Sequence, residues 1–334
     1  MALTSAGDAG LYALSTIAIV VGGANLARFG DRLGEATRVG RTWIGLTLLA
    51  LVTSFPELIT GVSAAARQLP NIAAGDALGS LCANLALLAL VDFAARGRDP
   101  YREAGPSQAR AAWYGLALLA PVAAALWLSD RTPALGKVSA ATPLLLLGYA
   151  AVMLDLRKRR RGTPAPPQHL VAGAATGIPR LVLLFAANAA LVILAAVFLP
   201  ELGARIADAS GLGRTLVGTL LVAVSTSLPE LVVSLSAVRI GAVDLAVANL
   251  LGSNLFDLAI LGLDDLAYTP GPIYTDLDSA HGATVATAAA MTTVTALALR
   301  PREGKRRTYA RLRGASWTLI ALYVLLPLWL TFLR

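Results

Sequence analysis

Two five-residue strings concentrate the chemistry available to this chain. Thr53-Ser54-Phe55-Pro56-Glu57 lies inside one apolar run, and Thr226-Ser227-Leu228-Pro229-Glu230 lies inside another, 173 residues later. The same offset carries Gly79-Ser80 onto Gly252-Ser253 and Asn84 onto Asp257 without a gap, which marks a duplicated unit. A helical turn is roughly 3.6 residues, so Thr53, Ser54 and Glu57 fall close to one face. Asp76, Ser80 and Asn84 follow at i, i+4 and i+8, also on one face. The second copy repeats the pattern as Thr226, Ser227 and Glu230, then Asn249, Ser253 and Asp257.

These groups are all oxygen donors. Oxygen-only ligation is the preference of hard cations, and six to eight carboxylate, carbonyl and amide oxygens suit calcium. Sodium is also hard and takes similar donors at lower charge. No Cys–His cluster exists to suggest zinc or copper, and Cys82 is the only cysteine. Glu57, Glu230 and Asp257 bring three negative charges when ionised. Three sodium ions neutralise them; one calcium leaves a single charge for a proton. A site that holds either load but not both is the physical basis of exchange, because its empty, highly charged form crosses poorly between states.

The elements that carry the donors are membrane helices. Of the 334 residues, 56% are hydrophobic and only 14% are charged, too little polar surface for a water-soluble globule. A helical span needs about 20 mainly apolar residues. Ten segments qualify: 9–28, 43–66, 71–95, 109–129, 137–156, 179–199, 213–238, 242–262, 281–299 and 315–333. The first follows Asp8 and no Lys or Arg, so it is expected to be a mature helix and not a cleaved signal. In the second and seventh spans a proline falls in the apolar run, where it removes a helical hydrogen bond and displaces the carbonyl four residues earlier, at Val52 and Ser225. Freed carbonyls and ionisable groups at membrane depth survive only where they face protein or a watery cavity, and they mark ion paths. Paired breaks in two repeats point to a transport site near the bilayer midplane.

The net charge of +8 does not imply nucleic acid, because the basic residues sit in short connectors. Counted over alternate sides, Lys and Arg number 22 against 6, which places both termini outside and the basic connectors in the cytoplasm. The expected domain plan is a first five-helix half over 1–156 with core repeat 43–95, a basic Pro/Gly linker over 157–178, and a second five-helix half over 179–334 with core repeat 213–265. The linker reads as a solvated connector with a charge cluster, or as a binder of anionic lipid. Five is odd, so the second half enters the membrane in the opposite sense. The fold expected is an all-α polytopic membrane protein of ten helices in two inverted-topology five-helix repeats.

At Thr53–Glu57 with Gly79-Ser80-Leu81-Cys82-Ala83-Asn84, and at Thr226–Glu230 with Gly252-Ser253-Asn254-Leu255-Phe256-Asp257, the chain resembles the cation/calcium exchanger superfamily, in particular its prokaryotic sodium/calcium exchangers. Two linked motifs, each present twice, make the resemblance specific. It implies a secondary antiporter that uses the sodium gradient to move calcium across a prokaryotic inner membrane. Calcium and sodium are then transported substrates, with no organic cofactor and no obligatory protein partner. By matching position, the resemblance implies central ligands at Glu57, Asn84, Glu230 and Asp257. It implies sodium-specific hydroxyls at Thr53, Ser54, Ser80, Thr226, Ser227 and Ser253, with carbonyls at Ala50 and Ala223. It also implies that the first and sixth helices form a sliding gate.

The chain departs from the family pattern at several places. Gly75-Asp76 and Gly79-Ser80-Leu81 stand where Gly-Asn and Gly-Ser-Asn are usual, Ala248 precedes Asn249, and Val52 and Ser225 replace glycines before the Thr-Ser pairs. Asp76 adds a fourth acid to the Ser80/Asn84 face, as a further ion or proton ligand or as an acid bonded to local backbone or water. It keeps a proton-driven calcium exchanger as the alternative reading. An intramembrane hydrolase lacks a motif, since the serines have no nearby histidine. A non-transporting scaffold or receptor would not need the acids. Asn25 and Asn188, in the gate helices, read as interhelical hydrogen-bonding groups. Asp264, Asp265, Asp276 and Asp278 are expected as an external cluster that concentrates cations.

Overall fold

A computed structural model describes residues 2–37, 39–95, 97–128, 133–160, 177–210, 226–300 and 309–332. Among them the chain forms twelve helices and one two-stranded hairpin. In order these are α1 (Ala2–Ala36), α2 (Arg41–Thr53), α3 (Phe55–Ala66), α4 (Pro70–Ala94), α5 (Pro100–Glu103), α6 (Pro106–Leu128), α7 (Ala141–Arg160), α8 (Ile178–Ser210), α9 (Leu228–Arg239), α10 (Val243–Ala267), α11 (Ala280–Ala298) and α12 (Tyr309–Phe332). Strands β1 (Ala134–Leu135) and β2 (Val138–Ser139) pair antiparallel between α6 and α7. Among the described residues five stretches are long and apolar enough to cross a membrane, namely Gly7–Ala36, Pro70–Ala94, Pro106–Leu128, Ile178–Phe198 and Val243–Ala267, and α2 with α3 makes one broken span. The other expected spans fall on α7, α9, α11 and α12, and the portion of the seventh before Thr226 lies outside the described residues. The linker segment 161–176 also lies outside them.

The helices gather into two compact units, each drawing on both sequence halves. The first comprises Met1–Pro56 and Ala165–Asn249. In it α1 packs along α8 and against α9. Small residues let membrane helices approach closely: a Cβ on Gly22 would stand 2.8 Å from Val192 Cγ2, and one on Gly23 would stand 2.8 Å from Val232 Cγ1. Asn25 Nδ2 donates to Asn188 Oδ1 at 3.1 Å, the interhelical bond read from the sequence. Residues Gly45–Leu49 of α2 form a π-helical turn. Gly45 there faces the first turns of α10, where a Cβ would lie 2.6 Å from that of Ala248. The alanine that departs from the family pattern is thus accommodated by a glycine opposite it.

The second unit comprises Glu57–Pro164 and Leu250–Arg334. Here α10 from Leu250 onward is the most buried helix, α4 packs against α11 and α12, and α11 and α7 flank α6. Tyr101, sealed from solvent, shares a hydrogen bond with Ser316 (3.0 Å), which donates to Asp92 (2.7 Å). Asp265 ties the hairpin region together: it accepts from the amides of Ser139 (2.8 Å) and Ile273 (2.7 Å) and from the Thr142 hydroxyl.

Burial corrects the expected acid cluster at two of its four members, while Asp276 and Asp278 are exposed. Asp264 and Asp265 are 0% exposed. Asp276 accepts from Tyr268 Oη at 2.6 Å, and Asp278 accepts from the amide of Ala280 at 2.8 Å. Buried polar groups are almost always hydrogen-bonded, and Asp265 is bonded to the amides of Ser139 and Ile273, whereas Asp276 and Asp278 stay exposed beside their local partners.

Candidate cation site

Both repeat strings place a non-helical serine immediately before a helix start. Ser54 leaves the helical region (φ −89°, ψ 12°) between α2 and α3, and Ser227 does the same (φ −85°, ψ 4°) before α9. The prolines therefore lie in the first turn of a new helix, at Pro56 and Pro229, and not in a helix interior as the sequence suggested. In a first turn the missing N–H has no intrahelical partner to lose, so the break is compatible with proline instead of strained by it. Glu57 and Glu230 fall three residues after the breaking serines, in the first turns of α3 and α9. The helix dipole favours a carboxylate at that position, worth about 0.3–1 kcal/mol at an exposed site and more when partly buried. The Ser-x-x-Glu spacing is that of a capping box, yet the Ser227 side chain makes no capping bond, and Ser54 spends its hydroxyl elsewhere.

In the first unit Ser54 Oγ donates to Glu230 Oε1 at 3.1 Å, a first-repeat hydroxyl on a second-repeat carboxylate. Thr53 and Ser54 are 0% exposed, and Thr226, Ser227 and Glu230 are also buried. The Ala50 carbonyl accepts from Ser54 N (3.0 Å) and from Thr53 Oγ1 (3.4 Å). Asn249 Nδ2 donates to Ser234 Oγ at 3.2 Å. Ala223 lies outside the described residues.

In the second unit Asn84 Nδ2 donates to Asp257 Oδ2 at 3.3 Å, so the residues related by the 173-residue offset meet each other directly. Asn84 Oδ1 is buried and has no hydrogen-bond donor among the described residues. A buried amide oxygen without a donor costs about 1–3 kcal/mol, and a cation is a partner that would satisfy it. Glu57, Ser80, Ser253 and Asp257 are buried in the same unit. Asp76 is half-buried, two helical turns from Asn84 along α4, and therefore stands apart from the Asn84–Asp257 pair. Sequence reasoning missed the donation from Ser54 to Glu230, because it links opposite repeats across 176 residues and periodicity reports only neighbours within one element. It also missed Asn254, whose Oδ1 is buried without a donor among the described residues in a small cavity lined by Leu81, Gly115 and Thr292.

A helical membrane protein with a broken span and buried, repeat-matched oxygen donors belongs to the class of secondary ion transporters built from inverted repeats. The comparisons make this specific. A family model described as sodium/calcium exchanger protein matches residues 8–155 and 180–332, and the chain belongs to that family. It is 30% identical to the inner membrane protein YrbG of Escherichia coli (strain K12) over 280 residues, covering 78% of this chain and 82% of that protein. It is 41% identical over 102 residues to the sodium/calcium exchanger MaX1 of Methanosarcina acetivorans, 30% of this chain and 28% of that one. A structure of the sodium-calcium exchanger NCX_Mj, soaked with sodium and strontium, matches with a TM-score of 0.75 at 21% identity, covering 96% of this chain and 98% of that one. The fold is therefore the ten-helix inverted repeat of this exchanger family.

Proposed function

We propose that the chain exchanges sodium for calcium by alternating access, with Glu57, Asn84, Glu230 and Asp257 as the central ligands. The observation that carries this reading is the Asn84–Asp257 pair: two repeat-equivalent oxygen-bearing side chains, buried and 3.3 Å apart, with one amide oxygen that has no donor among the described residues. The family membership and the relatives named as sodium/calcium exchangers support it. Thr53, Ser54, Ser80, Thr226, Ser227 and Ser253, with the Ala50 and Ala223 carbonyls, add the neutral donors that sodium takes. Sodium and calcium are the substrates, and no organic cofactor enters the cycle.

In this reading α1 and α8, packed together and joined by the Asn25–Asn188 bond, slide as the gate. The halves 1–156 and 179–334 insert in opposite senses into a prokaryotic inner membrane, with both termini outside and the linker over 157–178 in the cytoplasm. The acids explain why transport is coupled. Removing either load leaves buried carboxylates without countercharge, which costs several kcal/mol per ion, so the vacant form does not cross. Proton coupling in place of sodium is the second reading, favoured by the extra acid at Asp76.

Calcium flux in vesicles containing the purified chain tests the assignment. An outward sodium gradient should drive calcium uptake that a protonophore leaves intact. Uptake driven by a pH gradient without sodium would replace the first reading by the second, and flux unchanged by Glu57→Gln and Glu230→Gln would remove both.

A further inference from the structure

Outward along the same helix faces from Glu57, Asn84 and Asp257 lies a second set of polar groups, all within the second unit. Gly61 is one turn after Glu57, Asp264 is two turns after Asp257, and Asp76 is two turns before Asn84. At 1.5 Å per residue these steps are roughly 6 to 12 Å. Asp264 is 0% exposed, and neither of its carboxylate oxygens has a hydrogen-bond partner among the described residues. Both oxygens are aimed at the bare Cα of Gly61, where a Cβ would stand 2.8 Å from Oδ1 and 2.9 Å from Oδ2. The Tyr274 hydroxyl is also buried without a hydrogen-bond partner among the described residues, and it lies within electrostatic reach of Asp264, as does Asp76. The neighbouring Asp265 is already satisfied by two amides and a hydroxyl. Nothing of that kind satisfies Asp264.

A sealed carboxylate with no donor is among the costliest arrangements a protein can hold, and such groups are normally paired or bound to metal. Among the described residues the charged neighbours of Asp264 are Asp76 and Asp265, both acids. Two carboxylates carry the charge of one divalent ion, and carboxylate with phenol oxygen is hard-cation chemistry. We propose that Asp264 and Asp76, with the Tyr274 hydroxyl, form a second calcium-binding station, about two helical turns from the central ligands, with Gly61 leaving room for the Asp264 carboxylate. The identity of the ion rests on the exchange reading; the existence of the station does not.

The test is equilibrium binding of radioactive calcium to the full chain in detergent, with the central site disabled by Glu57→Gln, Glu230→Gln and Asp257→Asn together. One calcium per chain should remain bound to this triple variant. Adding Asp264→Asn should weaken it at least tenfold, and adding Tyr274→Phe or Gly61→Ala, which keep both carboxylates, should weaken it severalfold. Absence of residual calcium in the triple variant, or residual binding indifferent to Asp264→Asn, overturns the station. If Asp264→Asn fails to fold, indifference to both Tyr274→Phe and Gly61→Ala overturns it equally. Failure of the exchange reading shows separately, as flux that survives the triple substitution.

Discussion

Asp257→Asn is the substitution in which charge and shape separate most cleanly. Asn is nearly isosteric with Asp, and its amide oxygen can keep accepting from Asn84 Nδ2, now at 3.3 Å from Asp257 Oδ2. The change replaces a charge-assisted bond by a neutral one, a difference of about 1 kcal/mol. It also removes a buried negative charge, which stabilises the ion-free protein, so the melting temperature without calcium should stay within a few degrees of the parent or rise. Calcium affinity should behave differently. Deleting one partner of a buried charge pair costs about 3–5 kcal/mol, or roughly two to three and a half orders of magnitude at 1.4 kcal/mol per decade. A saturating ligand at a hundred times its Kd stabilises by about 2.7 kcal/mol, and Asp257→Asn should lose most of that calcium-dependent shift when compared in a chain that also carries Asp264→Asn, where no second station contributes. Thermal unfolding with and without calcium, alongside sodium-driven calcium uptake in vesicles, reads both effects. Calcium affinity within threefold of the parent, in a protein that melts normally, would show that Asp257 ligates no ion.

Other substitutions probe separate links. Ser54→Ala removes the donor 3.1 Å from Glu230 Oε1; a hydrogen bond to a charged acceptor is worth about 1.5–3 kcal/mol, so sodium dependence of exchange should shift about tenfold or more. Gly45→Ala puts a Cβ 2.6 Å from that of Ala248 and should lower stability by about 1–3 kcal/mol. Gly79→Ala meets nothing within 4 Å and should melt like the parent, a paired comparison for thermal unfolding. Asp265→Asn presents an amide to the N–H groups of Ser139 and Ile273; it should cost about 2–4 kcal/mol of stability while leaving sodium-driven calcium exchange at the central ligands unchanged per folded chain.

Most of the architecture was legible in the sequence because a bilayer simplifies the code. Apolar runs near 20 residues mark spans, and the 173-residue offset from Thr53 to Thr226 reports the duplication directly. Helix breaks were legible at Pro56 and Pro229, but their form was not. The sequence placed the prolines in helix interiors, whereas the breaks at Ser54 and Ser227 turn those positions into first turns that tolerate proline. The acids after α10 show the limit of composition. Asp264 and Asp265 look like a solvated pair at a helix end, and only the approach of Gly61, Ser139 and Ile273 reveals that both are sealed. Likewise Ser54 reads as a helix cap, and its bond to Glu230 depends on a fold that brings residues 176 positions apart together.

Asn84 and Asp257 have one further consequence. Duplication copies every side chain, so a perfectly symmetric cage built from two matching repeats carries an even number of acids, a number that divalent cargo alone can balance. One amide facing its acidic twin makes the tally odd. If Glu57, Glu230 and Asp257 are the acids that hold the cargo, as proposed, their odd charge calls for a singly charged passenger somewhere in the cycle, and one NH2 in place of one oxygen at the central pair is what sets that parity.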